Sequence, residues 1–191
     1  HKWISDTASY SGYCHPKIHD LDADGSPEIL LCDDVYDSDG AWQYSVGSIA
    51  YYSPAVVDLD GDGELEIITG DAVYLADGTE DFSTGYTSYA LAVGNFDADD
   101  AGEFVLRDGT YAYLLDDDGA LIWSASAQGY GYPCIGDLDG DGEMEIGLGG
   151  RSTFTVLDTD GSTLWTQSVS DYSSGTMSCA TFDFNGDGAA E

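Results

Sequence analysis

Asp137-Leu138-Asp139-Gly140-Asp141-Gly142-Glu143-Met144-Glu145, running straight into Ile146-Gly147-Leu148, is the stretch on which the whole chain can be read. Side-chain oxygens fall at positions 1, 3, 5 and 9 of a tight loop, and a backbone carbonyl is expected at position 7. That donor set suits a hard cation with flexible coordination and oxygen distances of about 2.3–2.6 Å, which points to calcium. The pattern recurs five times, over residues 20–28, 58–66, 95–103, 137–145 and 183–191. The candidate ligands are Asp20, Asp22, Asp24 and Glu28; Asp58, Asp60, Asp62 and Glu66; Asn95, Asp97, Asp99 and Glu103; Asp137, Asp139, Asp141 and Glu145; and Asp183, Asn185, Asp187 and Glu191. Up to five Ca²⁺ are expected.

An EF-hand loop would continue to a bidentate Glu at position 12 and enter a helix. Position 12 here is Leu31, Thr69, Leu106 or Leu148, and a short apolar run follows each of these loops, which reads as a buried strand. The third loop has Asp100 at the sharp bend, where its neighbours have Gly25, Gly63 and Gly142, and a neutral first ligand in Asn95. It is expected to bind more weakly or to be distorted. The stretches Asp37-Ser38-Asp39-Gly40, Asp116-Asp117-Asp118-Gly119 and Asp158-Thr159-Asp160-Gly161 lack the acid at position 9 and are read as Asp-Gly hairpin turns, both residues of which tolerate positive φ.

The first ligands are spaced about 40 residues apart, a period in the range of four-stranded propeller blades. The same order repeats between loops. A second strand (Val73 to Leu75, Tyr111 to Leu115, Phe154 to Leu157) leads through a Gly-containing turn to a third, marked by Trp42, Trp123 or Trp165. A further segment, such as Pro54 to Val57 or Pro133 to Gly136, enters the next loop. Without helical periodicity anywhere, the expectation is one all-β domain over 1–191, built of four-stranded repeats as β-propeller blades.

These residues resemble a known family. The Asp-x-Asp-x-Asp-Gly-x-x-Glu loops, each leading into an apolar strand, are similar to the FG-GAP/VCBS repeats of integrin-α-type β-propellers over nearly the whole chain. The stretch Asp160 to Trp165 also resembles blades of quinoprotein-like propellers. The resemblance implies a calcium-stabilised propeller, usually extracellular, serving adhesion or attached to surface enzymes. The family loop often ends in Asp where all five here end in Glu, which leaves mono- or bidentate binding open. The same loops, and Asp97 to Phe104 in particular, also resemble the propellers of rhamnogalacturonan lyases.

Four complete loop-to-loop repeats plus half-repeats make an expected fragment of a longer chain, or an array completed by something else; seven such blades would need about 290 residues. The balance of 37 acids against four bases gives a formal charge of −33, which five Ca²⁺ would lower to −23. Repulsion concentrated in the loops should link calcium to folding. Four scattered bases offer no patch for nucleic acid, and no apolar run is long enough for membrane insertion.

Cys14 and Cys32 flank the first loop at offsets that meet across a hairpin, and Cys134 and Cys179 precede loops four and five and are placed to bridge adjacent blades; four buried thiols are the plainer alternative. No catalytic residue is expected. His1, His15 and His19 are the only histidines, and no Gly-x-Ser-x-Gly elbow occurs. The Tyr51-Tyr52 and Tyr130-Gly131-Tyr132 clusters suit either blade packing or stacking on sugar rings. The expected role is a non-catalytic, extracellular or cell-surface structural or adhesive module. Its partners would be copies of itself, in a fibre or surface layer, or other surface proteins and glycans. The alternatives are a carbohydrate-binding module or the propeller part of a polysaccharide lyase.

Overall fold

The computed structural model describes residues 15–47, 54–171 and 175–190. The chain divides into two compact units, His1–Thr87 and Ser88–Glu191. The first unit carries blade 1, with β1 Lys17–His19, β2 Glu28–Leu31, β3 Asp34–Tyr36 and β4 Trp42–Ser45, and blade 2, with β5 Ala55–Val57, β6 Glu66–Ile68, β7 Ala72–Tyr74 and β8 Glu80–Ser83. The second carries blade 3, with β9 Ala90–Gly94, β10 Glu103–Arg107, β11 Tyr111–Leu115 and β12 Leu121–Ser126, and blade 4, with β13 Cys134–Gly136, β14 Glu145–Gly149, β15 Thr153–Leu157 and β16 Thr163–Ser168. Each blade is a four-stranded antiparallel meander whose strands pair in chain order. The expected all-β blade architecture is what the chain forms. Among the described residues no helix is long and apolar enough to cross a membrane.

Sequence explains the layering. The second and third strands are the most apolar: every residue of β6, β7, β10 and β14 is buried, while β2, β3, β11 and β15 are partly buried. The fourth strands alternate small polar residues with single large ones and lie largely exposed. Within the first unit, Leu30, Val35 and Val46 of blade 1 pack with Ile67, Ala72 and Tyr74 of blade 2. Within the second, Val105, Ala112 and Leu114 of blade 3 pack with Ile146, Leu148 and Leu157 of blade 4. Each fully buried aliphatic side chain contributes about 1.5–3 kcal/mol.

The hairpin between third and fourth strands differs from the expected Asp-Gly turn. Gly40, Gly119 and Gly161 have φ near +80°, but the preceding Asp39, Asp118 and Asp160 do not adopt positive φ. The Gly40, Gly119 and Gly161 amides donate to the carbonyls of Asp37, Asp116 and Asp158, three residues back. This is the longer connection in which glycine alone takes the left-handed position and leaves a bulge. A register shift follows at the same place in all four blades, at Val35/Tyr36, Val73/Tyr74, Leu114/Leu115 and Val156/Leu157.

The aromatic marker of the fourth strand is also corrected. Cross-strand pairing aligns Tyr44, Phe82, Trp123 and Trp165, opposite Val35, Val73, Leu114 and Val156. Trp42 stands two residues earlier and is exposed. At the aligned position an aromatic ring settles on the turn glycine of the neighbouring blade. A Cβ on Gly78 would come within 2.5 Å of the Tyr44 ring, and one on Gly161 within 2.7 Å of Trp123. Each ring is also tied by a polar tip: Tyr44 Oη donates to the Ala76 carbonyl, and Trp123 Nε1 to the Thr159 carbonyl at 2.8 Å. Burial and nearby carboxylates push the Tyr44 phenol up to about 12.

Two further ties join segments distant in sequence. Arg107, at the end of β10, is fully buried, and its guanidinium donates to the carbonyls of Gly131 (2.8 Å), Gly149 (2.9 Å), Gln128 (3.2 Å) and Ala127 (3.4 Å). Desolvation lowers it to about 10. Cys134 and Cys179 form a disulfide with Cα atoms 5.4 Å apart. Cys32 is disulfide-bonded as well; Cys14, its expected partner, lies outside the described residues. Tyr130 packs edge-on against Tyr89 and covers Gly109, a packing role; Tyr51 and Tyr52 lie outside the described residues.

Candidate metal centres

Each of the first four acidic loops joins the first strand of a blade to the second, so its last acid, Glu28, Glu66, Glu103 or Glu145, is also the first residue of a buried strand. The residue at position 2 anchors the other end. Leu21, Leu59 and Phe96 are buried, and Leu138 is half-buried. The alternation of acid and apolar residue along the loop thus pins a ring of carboxylates over the end of the core.

The backbone of the loops is built by the aspartates themselves. The amide at position 5 donates to the carboxylate at position 3, as from Asp24 to Asp22 and from Asp62 to Asp60, both at 3.1 Å. The amide at position 7 donates to position 5, as from Glu64 to Asp62 at 2.7 Å and from Glu143 to Asp141 at 2.9 Å. In loops one, two, four and five the amide of the position-6 glycine reaches the first aspartate: Gly25 to Asp20, Gly63 to Asp58, Gly142 to Asp137 and Gly188 to Asp183. Those glycines have φ between +88° and +99°. Position 4 is left-handed too, at Gly61, Gly140 and Gly186, and at Ala23 with φ +57°.

The final glutamate behaves alike in four loops. One oxygen, Oε2, accepts from the position-2 amide: Leu21 at 2.8 Å, Leu59 at 2.7 Å, Phe96 and Leu138 at 2.5 Å. Glu103 and Glu145 are fully buried, and their Oε1 atoms have no hydrogen-bond partner; Asp58 Oδ1 is in the same position. Desolvation above all, then nearby aspartates, push Glu28, Glu66, Glu103 and Glu145 above the ordinary carboxylate range, against the backbone bond that favours the ionised form. A buried carboxylate oxygen without a partner is costly, and it is the kind of group a cation satisfies.

Carboxylate oxygens within 4.8 Å of one another occur in Asp20, Asp22 and Glu28; in Asp58, Asp60 and Asp62; in Asp97, Asp99 and Glu103; and in Asp137, Asp139 and Glu145. These groups can hold a metal ion. Asp24, Glu66 and Asp141 belong to the same loops but stand outside those tight triads. In the fifth loop Asp183, Asn185 and Asp187 follow the same turn, Phe184 at position 2 is exposed, and Glu191 lies outside the described residues. A further triad of the same tightness, Asp116, Asp117 and Asp118, lies in the β11–β12 turn, where the sequence suggested a turn alone.

No protein-family model matches the chain, and no curated protein sequence does. Solved structures do resemble it. The biofilm matrix protein Bap1 of V. cholerae superposes with a TM-score of 0.69 at 25% identity, over 81% of this chain and 28% of that one. The rhamnogalacturonan lyase YesW gives 0.60 at 20% identity, over 79% and 30%, and the exotype rhamnogalacturonan lyase YesX gives 0.62 at 21%, over 80% and 31%. The chain therefore spans less than a third of the length of each, and the likeness to the two lyases is one of fold.

Proposed function

We propose that this chain is a non-catalytic, calcium-stabilised module of an extracellular or cell-surface protein, with a structural or adhesive role. The observation that carries the reading is the pair of buried glutamates, Glu103 and Glu145, each with one oxygen bonded to backbone and the other unpartnered beside two aspartates. Four loops of this build supply oxygen donors only, without the His or Cys that zinc favours, and the flexible coordination of calcium suits carboxylates held on a turn. With a formal charge of −33, the protein gains from every bound dication by relief of self-repulsion as well as by ligation.

The likeness to a biofilm matrix protein supports an extracellular setting, in which millimolar calcium keeps the loops filled and the Cys134–Cys179 disulfide persists. Its partners would be further copies of the chain, in a fibre or surface layer, or other surface proteins and glycans. Thermal unfolding in calcium, in magnesium and in EDTA tests the reading: calcium should raise Tm far more than magnesium. Equal Tm in calcium and EDTA would sink it.

A second reading, a module of a polysaccharide lyase, is favoured by the likeness to YesW and YesX. It places the active site outside this segment and predicts unsaturated product from pectic substrate, seen by ultraviolet absorbance, from a protein that carries this chain as a module; absence of that product would count against this second reading.

A further inference from the structure

Blade 3 departs from its neighbours in two places, and the two places adjoin. Its loop starts with Asn95 in place of aspartate, and Ala98 and Asp100 stand where the other loops have left-handed residues; neither takes positive φ. The Asn95 side chain is spent on the loop's own backbone, donating from Nδ2 to the Asp99 carbonyl at 2.7 Å and accepting from the Asp97 amide at 3.3 Å. The loop is thus one carboxylate short. Yet Glu103 remains fully buried, with Oε1 unpartnered, and its carboxylate clusters with those of Asp97 and Asp99 within 4.8 Å. A buried carboxylate oxygen aimed into a cluster of anions is satisfied by a cation or, failing that, a proton.

The second departure is the β11–β12 turn. The ladder ends at Phe104 paired with Leu115, and Glu103 and Asp116 are the residues that flank this last pair. Asp117 follows, where the equivalent turns of blades 1 and 4 have Ser38 and Thr159. In blade 4 that turn position lies over the metal loop, because the Thr159 hydroxyl donates to the carbonyl of Met144, the residue before Glu145. Asp117 holds the corresponding place in blade 3. Asp116 and Asp117 are half-buried, and their carboxylates, with that of Asp118, lie within 4.8 Å of one another. Asp116 acts electrostatically on Glu103, and Asp99 on Asp117, whereas the aspartates that chiefly raise Glu28, Glu66 and Glu145 are those of their own loops.

We infer that the third loop and the β11–β12 turn form a single divalent-cation centre, in which Asp116 and Asp117 supply from a second segment the negative charge that Asn95 withholds. The inference rests on the calcium reading of the loops. It makes the third centre the one at which an ion joins two hairpin ends of a blade, so that filling it fastens the β11–β12 turn to the β9–β10 loop.

The test uses the whole chain, with Ca²⁺ as probe, native mass spectrometry to count ions and calorimetric titration to resolve binding steps. Glu103→Gln identifies the step that belongs to this centre. Asp117→Ser, which installs the residue of blade 1, should weaken that step by about 10–100-fold, the range for losing a supporting carboxylate, and leave the others in place. Adding Asn95→Asp to Asp117→Ser should restore most of the loss, which also separates a binding defect from a folding one. A Glu103-dependent step indifferent to Asp117→Ser, or a loss that Asn95→Asp fails to repair, overturns this inference alone. A wild-type chain that binds no calcium overturns it together with the calcium reading.

Discussion

Glu145→Gln should change sign with calcium. The side chain is fully buried, its Oε2 accepts from the Leu138 amide, and its Oε1 faces Asp137 and Asp139 with no hydrogen bond. Glutamine keeps the shape and an acceptor for Leu138 but removes the charge. With calcium at about 100 times Kd, one site adds about 2.7 kcal/mol to folding stability. Weakening that site about 100-fold brings Kd up to the calcium concentration and leaves about 0.4 kcal/mol, a loss of about 2.3 kcal/mol. For a chain of this size that lowers Tm by about 5–9 °C. In EDTA the same substitution removes one of three crowded negative charges and gives the neighbouring aspartates an amide donor, so Tm should stay level or rise. Differential scanning calorimetry of wild type and variant, each in calcium and in EDTA, reads the four values. An equal fall in both conditions would refute the reasoning, because it would make Glu145 a packing residue and no ligand.

Three further outcomes follow from other parts of the molecule. Arg107→Met strips donors from four backbone carbonyls and should cost more than about 3 kcal/mol by urea unfolding, with or without calcium. Opening the Cys134–Cys179 bridge, at a sequence separation of 45, by Cys134→Ala with Cys179→Ala should cost up to about 4 kcal/mol, and the midpoint of guanidinium unfolding measures it. In EDTA, melting should depend on pH through Glu66, Glu103 and Glu145, whose folded values lie above 4.5, the value taken when unfolded. A raised acid favours the folded state when protonated, so the contribution is complete below about 4.5 and disappears as pH rises through the folded values. Metal-free protein should therefore melt higher at pH 5 than at pH 7, and saturating calcium should reverse that order.

Much of this architecture could be read from the sequence because two codes overlap in it. Alternating acids and glycines mark each loop, and a short β-branched run after Glu66, Glu103 or Glu145 marks the buried strand, so each repeat announces its own start. Where the local signal thins, the reading fails. β8, with Glu80-Asp81-Phe82-Ser83, has no tryptophan and passed without notice, although Phe82 sits in register with Trp123. Trp42 drew attention by residue type, while Tyr44 holds the structural position, a matter of pairing register that composition does not carry. Arg107 looked like one of four scattered bases; its burial depends on carbonyls 20 to 42 residues away in sequence. Asp116 reads as part of a turn, and its electrostatic link to Glu103, which runs across two strands, carries no local signal.

The aromatic seat on the turn glycine gives each unit a direction. Tyr44 projects from the last strand of one blade into the turn of the next at Gly78, and Trp123 does the same at Gly161. In each unit the plug thus belongs to the first blade and the socket to the second. Deleting one blade of a unit would remove half of the joint, since the plug and its seat lie on different repeats. A boundary drawn between β11 and β12 would separate the plug from the sheet that aims it, and so the natural piece to exchange is the pair of blades that shares one joint.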